Sequence, residues 1–393
     1  MWGTLSAGAK AGVAGAETGA NDGLIQVQKN ATFVRMPSMT NRGTRMRKSM
    51  STWLAVLAMG VVHATNVKPP IVTDPVYAQP QRLVAMDNGR RMNIYCLGHG
   101  KPTVVLDAGM GDSTISWALV QKPIAADTRV CSYDRAGLGF SDASNRPSTA
   151  LNIAEDLHKL LRAAGEKPPF VLVGHSAAGM YIRVYADRYL QEVVGLVSVE
   201  GSHEDQSMRG WAIGEPGQKA KWDAYLAEYD SCVTEARKGL VPGTPVFEKC
   251  VGAPDPRFSA QINAAQMRYA ATERWQAAAA SERHAIFYAS ADETRRTRRS
   301  FGDMPIVVLT HAPYPPAKGE TQALRDQRTL SWEIMHNEVA AMSTRGINAI
   351  VPGAGHYIQY DRPQVVIDAV ENVVGTVRRE QAGAPSRDSA SRD

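Results

Sequence analysis

What this chain lacks narrows it first. Outside residues 1–64 there is no excess of either charge, because 37 Lys/Arg stand against 37 Asp/Glu. The formal +5 comes from seven basic and two acidic residues in that first stretch. A surface made to hold nucleic acid would carry its basic excess in the folded part, so that partner is not expected. The basic run Arg295-Arg296-Thr297-Arg298-Arg299 follows Asp292 and Glu293 and reads as a solvated helix face. No internal repeat is visible, which excludes solenoids and propellers. Beyond His203-Glu204-Asp205 no cluster of metal-ligand residue types occurs, so neither a metal nor another cofactor is expected. Cysteine is scarce, four in 393 residues, an even number that suits an exported chain.

What is present begins with a leader. Met46-Arg-Lys-Ser-Met50 is basic, an apolar stretch of about ten residues follows, and small residues Val62 and Ala64 occupy the −3 and −1 positions. These are the parts of a secretory signal peptide over 46–64 with cleavage after Ala64, and the stretch is too short to span a bilayer. Residues 1–45 are Gly/Ala/Thr-rich without periodicity, which suggests a true start at Met46 or Met50. The alternative is a disordered extension on a cytoplasmic protein. The expected location is periplasmic or secreted, with no stable membrane insertion once the peptide is removed.

Past the Pro-rich 66–81, the segments Arg82–Met86 and Arg91–Cys96 flank Asp87-Asn88-Gly89, a hairpin signal. Strands at 103–106, 128–133, 170–173 and 193–199 then alternate with helices near 115–125, 150–164 and 180–190. That alternation is the pattern of a doubly wound α/β sheet. It breaks between 203 and 300, where Trp222, Tyr225, Leu226, Tyr229 and Val233 recur at helical spacing, as do Ile262, Tyr269 and Trp275. It resumes with strand 306–309, a helix near 321–342, strand 348–351 and a helix over 364–377. Residues 381–393 are polar and read as a disordered tail.

The strongest local signal is Gly174-His175-Ser176-Ala177-Ala178-Gly179, between a buried strand and a helix. A serine there is forced into a strained turn that exposes its hydroxyl beside the unpaired N–H groups of a helix N-terminus. The Gly-x-Ser-x-Gly pattern is imperfect, since Ala178 holds the fifth position and Gly179 follows.

With Val104–Gly111 through Trp117, Cys131–Asp142 and Pro352–His356, that turn carries a family resemblance. From about Gln81 to Arg379 the sequence resembles the α/β-hydrolase superfamily, and within it the serine esterase-type members with a helical cap. The resemblance implies an α/β fold, a doubly wound and mostly parallel sheet built from 65–202 and 301–380, with 203–300 inserted as the cap. It implies Ser176 as nucleophile and His356 as its base, with His175 and His311 as rivals for that role. Most members carry the acid after the strand corresponding to 306–309, but here no acid occurs before Glu320. Some carry it after the preceding strand, which makes Glu200 the expected acid and Asp205 the next choice. The backbone N–H groups of Met110 and Ala177 match the oxyanion hole. Trp117 stands where an aromatic often walls the acyl pocket, unless it is a core tryptophan, and His175 is expected beside the substrate. Asp134–Gly137 is expected to be structural. Cys96 with Cys131 and Cys232 with Cys250 are the expected disulfides, the alternative being four buried thiols.

The implied activity is cofactor-free cleavage of a small carboxylic ester through an acyl-enzyme. Lactonase, amidase, thioesterase and perhydrolase chemistry use the same groups, and a non-catalytic binding protein on the same scaffold is the rival from another class. Haloalkane dehalogenase and epoxide hydrolase readings are disfavoured, because those chemistries place an aspartate at position 176.

Overall fold

The computed structural model describes residues 69–86, 89–214 and 217–383. The signal peptide expected over 46–64 lies outside the described residues, as do positions 384–393.

Eight strands form one sheet: β1 (Leu83–Ala85), β2 (Arg91–Leu97), β3 (Thr103–Asp107), β4 (Val130–Tyr133), β5 (Phe170–His175), β6 (Val193–Val199), β7 (Ile306–His311) and β8 (Gly346–Val351). Their order is β1-β2-β4-β3-β5-β6-β7-β8. The β1–β2 and β2–β4 pairs are antiparallel and all the others parallel. Both faces of the parallel part are covered, which is why its strands read as unbroken apolar runs. Val105, Leu172, Leu196 and Val308 feed one core layer, while Val104, Leu106, Val171, Val173 and Val197 feed the other. Each such buried side chain contributes about 1.5–3 kcal/mol.

Short helix α1 (Gln121–Ile124) precedes β4, and α2 (Ala150–Ala164) and α3 (Ala178–Arg188) flank β5. Helix α2 starts where Thr149 Oγ1 caps the Asn152 N–H and stops at Gly165, which takes the left-handed conformation. The helix expected over 115–125 is instead a 3₁₀ turn at Thr114–Trp117 followed by α1. Pro123 cannot donate the hydrogen bond that a continuous helix needs there.

Among the described residues, six helices lie between β6 and β7: α4 (Gln206–Ile213), α5 (Gln218–Lys238), α6 (Pro245–Val251), α7 (Ala260–Ala270), α8 (Glu273–Ile286) and α9 (Ala289–Arg296). Helix α5, with Trp222 and Leu226 buried, packs on α8, whereas α9 returns to pack on α2 and α3. Helix α10 (Gln322–Ala340) follows β7, and α11 (Ile358–Asp361) and α12 (Pro363–Gly383) follow β8. Residues 381–383, expected in the tail, belong to α12. Both disulfides have the expected pairing. Cys96 and Cys131 face each other across β2 and β4, and Cys232–Cys250 joins α5 to α6.

Candidate active site

Ser176, Glu200 and His356 follow the carboxyl ends of the parallel strands β5, β6 and β8, the edge where open α/β sheets place their sites. Ser176, between β5 and α3, has φ 52°, a left-handed conformation that costs a non-glycine residue energy. Its surroundings impose it. The Ser176 N–H still donates to Val199 O of β6 at 3.1 Å, while its carbonyl accepts from Gly179 N at 2.9 Å and Ser202 N at 2.7 Å. A Cβ at Gly174 would meet Ala178 O at 2.5 Å, and one at Gly179 would meet Gly201 Cα at 2.6 Å. Glycine is therefore required at 174 and 179, whereas the alanine at 178 fits where it is.

His356 follows β8 and sets its Nε2 3.0 Å from Ser176 Oγ. Burial holds its pKa well below the ordinary histidine value, and the neighbouring His175 and His311 add to the effect. The ring is thus neutral at neutral pH, with Nε2 free to accept the serine proton. His175 supports it from behind. Its Nε2–H donates to the carbonyl of His356 at 2.9 Å, and burial pushes its own pKa down to about 4, so the ring is uncharged at neutral pH.

Glu200 directly follows β6 and, like Ser176, has a left-handed φ, 50°. Its carboxylate is fully buried and turned toward β7. Oε2 accepts from His311 N at 2.8 Å, Oε1 accepts from Trp332 Nε1 at 2.7 Å, and His311 Nε2 lies 3.3 Å from Oε1. Burial raises the Glu200 pKa to about 8 against those two hydrogen bonds, and burial also lowers that of His311. Both shifts favour a neutral pair over an ion pair.

The backbone N–H groups of Met110 and Ala177 have no hydrogen-bond acceptor among the described residues. Both residues line one cavity of about 120 Å³ together with Ser176, His356 and His311. Its roof is apolar: Ile213 of α4, Trp222 of α5, Ile286 and Phe287 at the end of α8, and Trp332 and Met335 of α10. A larger cavity of about 310 Å³, beside Arg257 and Tyr360, contains neither Ser176 nor His356.

A model of the alpha/beta hydrolase family matches residues 104–369. The chain belongs to the alpha/beta hydrolase family. This chain is 39% identical over 110 residues to a Hormonema carpetanum protein named as the probable transporter efuK, a match spanning 27% of this chain and 16% of that one. It is 23% identical over 276 residues to YqjL of Bacillus subtilis (strain 168), covering 70% of this chain and 85% of YqjL. Among solved structures it is similar to the epoxide hydrolase CorEH, with a TM-score of 0.55 and 16% identity, over 75% of this chain and 98% of that one. At that identity the likeness concerns the fold.

The fold thus brings together Ser176, His356, Met110 and Ala177. It does not bring Glu200 to His356, because no carboxylate among the described residues hydrogen-bonds or ion-pairs with that ring. Glu200 is held by the end of β7 and by α10 instead. Asp205 pairs with Arg295 at 2.9 Å, toward solvent. Trp117 and His175 do not line the cavity. Trp117 is fully buried against His175, their ring centroids 6.5 Å apart, a core tryptophan rather than an acyl-pocket wall. The aromatic walls are Trp222, Phe287, Tyr314 and Trp332; helical spacing around Trp222 signals its burial but not which cavity it faces.

Proposed function

We propose that this hydrolase cleaves small carboxylic esters through an acyl-enzyme on Ser176. The observation that carries the reading is the 3.0 Å contact between Ser176 Oγ and His356 Nε2, at a left-handed turn facing two unused backbone N–H groups. Serine is a weak nucleophile until a base takes its proton, and a buried neutral imidazole at hydrogen-bond distance is such a base. Attack on the ester carbonyl places negative charge on its oxygen, and the Met110 and Ala177 N–H groups receive it. His356 then returns the proton to the leaving alkoxide. Water, deprotonated by the same ring, releases the acid. The steps use no cofactor.

The apolar roof favours an apolar acyl or alcohol part next to the carbonyl. Lactones, thioesters, amides and peracid formation use the same two groups and remain the alternative reactions. An epoxide-opening reading is disfavoured because the nucleophile position holds serine, not aspartate. The proposed location is an oxidising compartment outside the cytoplasm. Two disulfides and the expected signal peptide support it, and no helix among the described residues is long and apolar enough to cross a membrane.

Labelling with a fluorophosphonate, followed by peptide mapping, tests the reading. A single adduct on Ser176, abolished by Ser176→Ala, is expected together with turnover of p-nitrophenyl esters. An unlabelled wild-type protein that binds esters without hydrolysing them would establish the non-catalytic alternative.

A further inference from the structure

The oxyanion loop 107–111 is tied to a buried side chain that arrives from the cap. Arg135, fully buried after β4, donates through Nη1 to Asp107 Oδ1 at 2.7 Å and to Ala108 O at 2.6 Å. Through Nη2 it donates to Gly109 O at 2.6 Å and to Glu282 Oε2 at 3.1 Å, and through Nε to Glu282 Oε1 at 2.6 Å. Glu282 lies on α8 of the cap, its side chain 1% exposed. Its Oε2 also accepts the Gly111 N–H at 2.7 Å. One cap carboxylate therefore holds both the guanidinium that grips the loop and the loop itself.

The peptide plane gives this network a direction. Gly109 C=O and Met110 N–H belong to one planar trans unit, so they point in opposite directions. Fixing the carbonyl on Arg135 aims the Met110 N–H the other way, and Met110 lines the cavity that holds Ser176. The Gly111 N–H is occupied by Glu282 and is unavailable as a donor. Without Glu282, the buried Arg135 would keep Asp107 as its remaining carboxylate partner, one whose pKa burial pushes up to about 6.

We infer that Glu282, a cap residue, is a positioning residue for the oxyanion hole: through Arg135 and Gly111 it aims the Met110 N–H at the reacting carbonyl. The inference rests on the ester-hydrolase reading above. It makes the cap part of the catalytic frame as well as the roof of the substrate cavity.

The test compares wild type, Glu282→Gln and Glu282→Asp in the full chain, using a p-nitrophenyl ester and a trifluoromethyl ketone that forms a tetrahedral adduct on serine. Glutamine keeps the shape but cannot accept both guanidinium bonds as an anion. It should lower kcat by about 10- to 100-fold with KM little changed, as expected when one oxyanion donor is misaligned. Ketone affinity should fall in parallel with kcat/KM, and aspartate should restore part of both. Normal kcat and ketone affinity in Glu282→Gln, or a rise in KM alone, would overturn the inference. If glutamine prevents folding, the same two ratios in Glu282→Asp decide it. A wild-type enzyme that never labels at Ser176 would refute the ester-hydrolase reading instead, which keeps the two failures apart.

Discussion

His311 ends β7 and His356 follows the neighbouring parallel strand β8; both line the same cavity and are held neutral by burial, yet they have different partners. His356 Nε2 faces Ser176 Oγ at 3.0 Å, whereas His311 Nε2 faces the Glu200 carboxyl at 3.3 Å. The same imidazole chemistry is available at both positions, so geometry alone separates a base from a packing partner. His356 comes from a Gly-flanked loop free to reach back over β5. His311 is still the last residue of β7, its backbone N–H bound to Glu200 and its Nδ1 to the Ala312 carbonyl. With Nδ1–H given to that carbonyl, the ring's lone pair is on Nε2, which faces Glu200 and not the serine.

The largest expected effect removes the working pair. Ser176→Ala and His356→Ala should each lower kcat for ester hydrolysis by roughly 10⁴-fold or more, with circular dichroism unchanged. His311→Asn should stay far closer to wild type. Equal losses at both histidines would erase the distinction between them.

Glu200→Gln probes the other half. A glutamine has a single acceptor oxygen and keeps only one of the bonds from Trp332 and the His311 backbone, so a loss on the order of tenfold is expected, well short of that for an acid touching the base. Asp205→Asn, which breaks an exposed pair with Arg295, should cost less still. A Glu200→Gln loss rivalling that of Ser176→Ala would show that the carboxylate turns to His356 during turnover.

Smaller effects concern the roof. Trp222 of α5 and the end of α8 cover the cavity, and Cys232–Cys250 ties α5 to α6. Closing that loop stabilises the fold by about 3 kcal/mol in the chain-entropy model. Cys250→Ser should therefore raise KM severalfold while leaving kcat nearly unchanged, read from saturation curves alongside melting curves. A fall in kcat with unchanged KM would place the disulfide's influence on the reacting centre.

The mildest prediction is a displaced pH limb. Burial lowers the His356 pKa, so its neutral, proton-accepting form persists to lower pH than in a free histidine. The acid limb of kcat/KM should fall below the ordinary value near 6.5. A limb at or above that value would mean that a nearby negative charge supports the imidazolium, which requires a carboxylate at His356.

The local parts of this protein were readable in its sequence. The elbow depends on a few consecutive residues: a buried strand, small side chains at 174 and 179, and a serine at the turn, each constrained by contacts within one turn or with the adjacent strand. Strands β5 and β6 and helix α2 follow from apolar runs and periodicity, with Thr149 and Gly165 marking the ends of α2. Strand order and family pattern placed His356 opposite Ser176 from 180 residues away. What tertiary structure decided was the direction of side chains and the partners they meet. A sequence names Glu200 at the end of β6, but not that its left-handed backbone turns the carboxyl to Trp332 and His311. It shows Trp117 as a large aromatic, but not that this ring is packed away while Trp222 and Phe287 face the cavity. It gives no sign that Glu282, 171 residues from Gly111, accepts that residue's N–H. Backbone hydrogen bonding and apolar periodicity act along the chain and leave a mark on neighbouring residues. A buried charge is stable only where the completed fold supplies its counter-charge, and that partner has no fixed distance in sequence.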